Sequence, residues 1–314
     1  MINKNTKIFL AGHQGMVGSE IFSKLKLLGY KKIIVASKKD LNLINQTSVY
    51  NFLRKTRPEV VIIAAAKVGG IYANSFYRAE FIYENLLIQS NLIHGSFLNK
   101  INHLVFLGSS CVYPKNSKQP IKEKYLLTSE LEKTNEPYAI AKIAGIKMCE
   151  NYNFQYKTNY ISLMPSNSYG PNDNYDSKNS HFFASLIKKI HIAKINNKKS
   201  IKLWGNGKAQ RELIYVGDIA DACIYFMGKK IKDGLINIGT GKCFTIYQYA
   251  KFIMKQLNVR MEIELDKTMP NGTPKKLLDI SLAKKYGWSA KIDLKTGFNL
   301  TYRSFLKENF ISKK

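Results

Sequence analysis

The sequence predicts an α/β fold, a doubly wound parallel sheet carrying a smaller, discontinuous α/β lobe. Three observations lead there. Lys7-Ile-Phe-Leu-Ala11 reads as a short, mainly apolar strand and runs directly into Gly12-His-Gln-Gly15-Met-Val-Gly18, where Val17, Ile21, Leu25 and Leu28 recur at helical spacing. Residues 60–66 are apolar throughout, as a strand covered on both faces should be, and residues 103–107 read as a second such strand. Strands and helices alternate in this way over roughly residues 7–165.

Strand, glycine turn and helix in that order form the context of a dinucleotide-binding turn. Glycines let the backbone approach a pyrophosphate, and the helix N-terminus faces it. A second strand, residues 32–36, ends in Ser37-Lys-Lys-Asp-Leu41. A free ribose 2′-OH usually meets an acid here and a 2′-phosphate meets a cation, so Lys38 and Lys39 favour NADP over NAD. Asp40 suits the turn at the adenine edge. The strand at 60–66 passes into Lys67-Val-Gly-Gly70, and residues 78–100 read as a helix with Asn85 facing inward. The strand at 103–107 ends in Ser109, Ser110 and Cys111, two hydroxyls and a thiol at the edge where ligands of such sheets bind.

Residues 135–145 form an alanine-rich helix with Pro137 in its first turn, where a missing N–H costs nothing. Tyr138 and Lys142 are four apart and share a face. An ammonium beside a phenol favours the phenolate, so this pair could exchange a proton with a substrate oxygen. Cys149 lies on the same face and reads as core. After a strand at 160–164 and Pro165-Ser-Asn167, the polar loop 172–180 opens the second lobe. That gives residues 1–170 as the cofactor domain, with a return near 212–240, and 171–314 mainly as the substrate lobe. A helix at 181–193, a strand at 201–204, and a helix opened by residues 211–218 with Asp218 as N-cap complete the expectation.

The formal net charge is +27, with lysines spread along the whole chain. Without a basic tail or an aromatic-interleaved patch, that spread argues against nucleic acid and suits a dinucleotide phosphate and a nucleotide sugar equally well. No apolar run reaches the roughly 18 residues of a membrane span, and no signal-peptide core is expected at the N-terminus. The four cysteines show no metal-ligand spacing and read as reduced thiols of a cytoplasmic protein, with no metal expected.

Glycine turn, Ser109-Ser110-Cys111, Tyr138-x-x-x-Lys142, Asn167-Ser-Tyr-Gly-Pro171, Arg211-Glu and Asn237-Ile-Gly-Thr-Gly241 together resemble the extended short-chain dehydrogenase/reductases acting on nucleotide sugars. The runs Ala64-Ala-Ala-Lys-Val-Gly-Gly-Ile71, Asn135 to Gly145, Asn179-Ser-His181 and Gly272-Thr-Pro-Lys275 are similar to their GDP-L-fucose synthase branch. The resemblance implies a Rossmann-type domain, NADP(H), a GDP-linked 4-keto sugar and a homodimer. It implies that Ser109 hydrogen-bonds the C4 carbonyl, Tyr138 protonates it, and Lys142 holds the nicotinamide ribose. Cys111 and His181 would act as the acid–base pair that epimerises C3 and C5; ordinary pKa values of about 8.5 and 6.5 suit proton transfer near neutrality.

Along the cofactor the resemblance places Gly12, Gln14, Gly15, Met16, Val17, Gly18, Lys38, Asp40, Leu41, Ala65, Leu107, Ser110, Lys142, Pro165, Asn167 and His181. Lys189, Trp204, Arg211 and Asn271 would contact the substrate, Trp204 as a platform for the nucleotide and Arg211 as a cation for its diphosphate. Three positions depart from the branch. Gln14 replaces an arginine near the 2′-phosphate, Lys189 replaces an arginine and loses its bidentate fork, and Asn271 replaces an aspartate in the substrate loop. The last leaves open a GDP-4-keto heptose, and the scaffold alone would also suit a dinucleotide-binding sensor.

Overall fold

The computed structural model describes residues 2–176, 180–269 and 273–308. Its first half alternates β1 (Ile8–Ala11), α1 (Met16–Leu27), β2 (Ile33–Ile34), α2 (Gln46–Thr56) and β3 (Val60–Ile63). Then follow α3 (Ile71–Phe76), α4 (Arg78–Leu98), β4 (His103–Leu107), α5 (Glu136–Tyr156) and β5 (Asn159–Pro165). The second half holds β6 (Asn167–Tyr169), α6 (Phe182–Ile195), β7 (Ser200–Trp204), β8 (Gln210–Tyr215), α7 (Val216–Phe226) and β9 (Leu235–Ile238). β10 (Cys243–Thr245), α8 (Ile246–Gln256), β11 (Glu262–Asp266), β12 (Lys275–Lys276), α9 (Ser281–Lys285) and α10 (Leu294–Leu306) complete it.

Six parallel strands form the central sheet in the order β2-β1-β3-β4-β5-β9. The chain leaves β1 to one side for β2 and returns to the other for β3, so a crevice opens between the carboxyl ends of β1 and β3. Period-two alternation sorts the strand residues. Ile8, Leu10, Val60, Ile62, Val105 and Leu163 pack against Ile21 and Leu25 of α1 and Ile219 and Phe226 of α7. Phe9, Val61, Ile63, Leu104 and Phe106 face α2, α4 and α5 through Val49, Leu53, Leu92, Ile93, Ile146 and Cys149. Uniformly apolar strands thus follow from helices on both faces. A third core joins Phe183, Leu186, Ile187 and Ile190 of α6 to Leu213, Tyr249, Ile253, Phe298 and Phe305. Around it lie a four-stranded sheet in which β8 pairs with β6, β10 and β12, and the β7–β11 ribbon.

Two expectations are corrected. The strand foreseen at 32–36 forms a ladder only over Ile33–Ile34, because as the edge of the sheet it has β1 alone to pair with. Residues 211–218 do not open a helix: Gln210–Tyr215 is the centre of the second sheet, and α7 begins at Val216 with Tyr215 in the cap position. Asp218 is therefore not the N-cap. Its carboxylate accepts the N–H groups of Lys291 and Ile292, each at 3.0 Å, and ties that segment to the first turn of α7. Asn271 lies outside the described residues. Among the described residues, no helix is long and apolar enough to cross a membrane.

Candidate active site

The glycine turn is shaped by close approach. Gly12 has φ +88°, and a Cβ there would lie 2.6 Å from the Ala65 nitrogen at the end of β3. A Cβ on Gly18 would lie 2.0 Å from the Gly12 carbonyl oxygen. Side chains at either point would push β1, β3 and α1 apart. Gly15 caps α1 without a side-chain acceptor, so the first N–H groups of the helix are left for an anion. This cradle fits a dinucleotide pyrophosphate at the switch between β1 and β3. Gln14 is exposed on the turn, whereas Met16 and Val17 pack against the third core.

At the end of β2, Asp40 accepts from the Ser37 hydroxyl (2.6 Å) and N–H (3.2 Å), which lowers its pKa and holds it in the turn as expected. Lys38 and Lys39 are left exposed beside it, and Leu41 is buried beneath. Pro165 closes β5 next to Ile238 of β9. The Asn167 amide donates to the Glu212 carbonyl at 2.8 Å, joining β6 to β8.

The reactive groups gather where β4 meets α5. Ser109 caps a single turn of tight helix, Ser110–Val112, and its hydroxyl accepts the Cys111 N–H at 3.4 Å. Ser110 is buried. Tyr138 stands in the first turn of α5 with the Phe81 ring edge-on at 6.4 Å. One turn on, the Lys142 ammonium donates to the Leu107 carbonyl at 2.8 Å, 4.6 Å from the Phe106 ring centroid and 5.8 Å from that of Tyr138.

Lys142 is only 3% exposed, and burial pulls its pKa down to about 8. The expected acidification of Tyr138 is not found. Burial raises the phenol well above its ordinary value, the Cys111 thiolate would raise it further, and Lys142 spends its charge on Leu107 and Phe106. Near neutral pH Tyr138 thus holds its proton, the state needed to protonate a ketone oxygen. Cys149 is core, its thiol pushed up to about 12 by burial. All four thiols are free.

Cys111 is buried and burial raises its pKa; the ammonium of Lys276 is the largest influence lowering it, ahead of Ser109 and Lys142. His181 precedes α6 and is exposed, yet its pKa is lowered by burial of the ring's surroundings and then by the same Lys276. Lys276 therefore joins the two groups expected to work as an acid–base pair. Sequence reasoning missed it: a lysine beside another lysine carries no signal in this chain, and its placement comes from β12 pairing with β8 far away in sequence.

That pairing sets Lys276 directly opposite Arg211. The Arg211 guanidinium donates to the carbonyls of Thr273 (2.5 Å) and Gln210 (2.8 Å), and Glu132 is the acid that favours both cations. Cys111, hydrogen-bonded to Ser109, thus lies within electrostatic reach of Tyr138, Lys142 and Lys276, and Lys276 in turn within reach of His181 and Arg211. Lys189 of α6 reaches the β7–β11 ribbon, donating to the Lys202 carbonyl (2.7 Å) near Asp266, and Trp204, paired with Asp266 there, is 47% exposed. Among the described residues, no group of three or more His, Cys, Asp or Glu could hold a metal ion.

Residues 8–239 match the NAD dependent epimerase/dehydratase family. The chain is 45% identical to a putative GDP-L-fucose synthase 2 of Arabidopsis thaliana over 314 residues, covering 100% of this chain and 95% of that one. It is 44% identical to the GDP-L-fucose synthase of Escherichia coli, covering 96% and 97%. Among solved structures, MlghC, a GDP-mannoheptose C4 reductase from Campylobacter jejuni with NADP bound, superposes with a TM-score of 0.88 at 36% identity, covering 97% and 99%. With the glycine cradle, the Tyr138–Lys142 turn and full-length similarity in agreement, the chain belongs to the NAD dependent epimerase/dehydratase family, in its GDP-L-fucose synthase branch.

Proposed function

We propose that this chain is an NADPH-dependent enzyme that reduces the C4 ketone of a GDP-4-keto-6-deoxymannose and epimerises the neighbouring C3 and C5. The observation that supports the reading is the coupling of Cys111, hydrogen-bonded to Ser109, with Tyr138, Lys142 and Lys276, and of Lys276 with His181. NADPH supplies a hydride to C4. Ser109 orients the carbonyl oxygen, and Tyr138, protonated at neutral pH, gives it a proton. Lys142 holds the ribose end of the cofactor. The C4 ketone acidifies the hydrogens on C3 and C5, so one group of the Cys111–His181 pair removes a proton as the other returns one.

The reaction in deuterated water tests this directly. NADPH oxidation with GDP-4-keto-6-deoxymannose, deuterium at both C3 and C5 and an L-configured product are expected. Oxidation without deuterium would reduce the activity to a plain C4 reductase, and no oxidation would overturn the assignment. A heptose substrate is the second reading, favoured by the similarity to the heptose reductase and by Asn271.

For NADP, the cations beside the Asp40 turn support the preference. Replacing Lys38 and Lys39 together by alanine should raise KM for NADPH about tenfold, the loss of about 1.4 kcal/mol, and leave KM for NADH within twofold; parallel change in both would contradict it. We further propose a cytoplasmic enzyme with no nucleic-acid partner. It divides into a cofactor domain of residues 1–170, with the return at 212–240, and a substrate lobe. Exposed Tyr83 on α4 and Phe154 on α5 support a homodimer through these helices, and a monomer in sedimentation would refute it.

A further inference from the structure

Glu212 follows Arg211 in β8 and so points to the opposite side of its strand. It is fully buried, 0% exposed. Three other chain segments converge on it. One carboxylate oxygen, Oε1, accepts the N–H groups of Thr240 (2.6 Å) and Gly241 (2.7 Å) and the Thr240 hydroxyl (3.4 Å). The other, Oε2, accepts the Leu278 N–H at 2.8 Å. Its backbone carbonyl takes the Asn167 amide. Gly239 completes the closure, because a Cβ there would stand 2.3 Å from Oε1.

Each of these carboxylate contacts comes from a donor, which suits an ionised carboxylate and no other side chain of that size. Burial raises the carboxyl's pKa, and the converging N–H groups counter it. Residues 239–241 follow the last strand of the central sheet, and Leu278 follows β12, the strand that carries Lys276. Arg211 and Lys276 stand side by side across β8 and β12; burial first and the guanidinium after it disfavour the Lys276 ammonium, while Cys111 and Glu132 favour it. The closeness of the two cations depends on β12 staying paired with β8.

We propose that Glu212 is a positioning residue: by hooking the β9 turn and the exit of β12 onto β8, it holds Arg211 and Lys276 together as one receptor for the diphosphate of the substrate. This role rests on the GDP-sugar reading.

Glu212→Gln tests it, since an amide satisfying the Thr240 and Gly241 donors turns an NH2 group against the Leu278 N–H. GDP binding by calorimetry should weaken at least tenfold. KM for the keto sugar should rise in step while kcat changes less than threefold, and NADPH affinity, read by fluorescence, should stay within twofold. Glu212→Asp keeps the charge but retracts it, and should give an intermediate loss of GDP affinity; it carries the test if the glutamine variant does not fold. GDP affinity within twofold of the unaltered protein in a folded variant would overturn the proposal. So would an equal fall in NADPH affinity, or failure of both variants to fold, since Glu212 would then serve the fold at large. GDP binding by the unaltered protein checks the GDP-sugar reading separately, and its absence would remove that reading and this role together.

Discussion

Replacing Lys142 by methionine is expected to remove reduction while making the protein harder to unfold near neutral pH. The ammonium is buried against Leu107 and Phe106, and burial lowers its pKa from the ordinary 10.5 to about 8. Such a drop corresponds to roughly 3 kcal/mol of preference for the neutral form in the folded chain. Below pH 8 both folded and unfolded chains carry the proton, and the folded one bears the full cost of burying it. Between pH 8 and 10.5 the folded lysine sheds its proton first and the cost fades. Methionine removes the charge but strands the Leu107 carbonyl, a loss of about 1–3 kcal/mol. The net gain at pH 7 is therefore about 1 kcal/mol, and near pH 10 it turns into a loss. Urea unfolding at the two pH values checks the sign. NADPH oxidation should fall by about 10²-fold, because the ribose end of the cofactor loses its anchor. A variant destabilised equally at both pH values would show that Lys142 is held as a neutral amine or belongs to the fold, and would contradict the assignment.

The parts of this site that could be read in the sequence are those set by local physics. A glycine turn between an apolar strand and a helix leaves few alternatives, and Gly12 and Gly18 stand against neighbouring backbone as the motif requires. Tyr138 and Lys142 share a face because of helical spacing alone. What escaped depends on distant segments. The run 211–218 reads as a helix start from its short apolar stretch with an acid after it; pairing with β6, β10 and β12 makes it a strand instead. The pKa of Tyr138 follows burial, which no spacing reports. Lys276 is the clearest case. It acquires its place beside Cys111, His181 and Arg211 through a two-residue strand some 60 residues from its partner.

Replacing Cys111 by alanine should cut deuterium exchange at the C–H positions flanking the ketone by about 10²–10⁴, the usual contribution of a positioned acid or base. C4 reduction of an already epimerised ketone should survive within about tenfold, because Ser109, Tyr138 and Lys142 stay in place. Loss of both activities together would show that the thiol serves the pocket's shape and not proton transfer. The pH dependence is more discriminating. Burial raises the thiol above its ordinary value, while burial and Lys276 lower the imidazole below 6.5. The pair is singly protonated, the form epimerisation needs, from the depressed histidine value up to the raised cysteine value. Thiolate with imidazolium and thiol with imidazole carry the same number of protons, so both assignments of acid and base share this window. Exchange should therefore be level across neutral pH and fall on either side. Lys276 lowers both groups, so Lys276→Met should carry both limbs of the profile to higher pH. A profile that stays in place would mean that Lys276 serves the diphosphate alone.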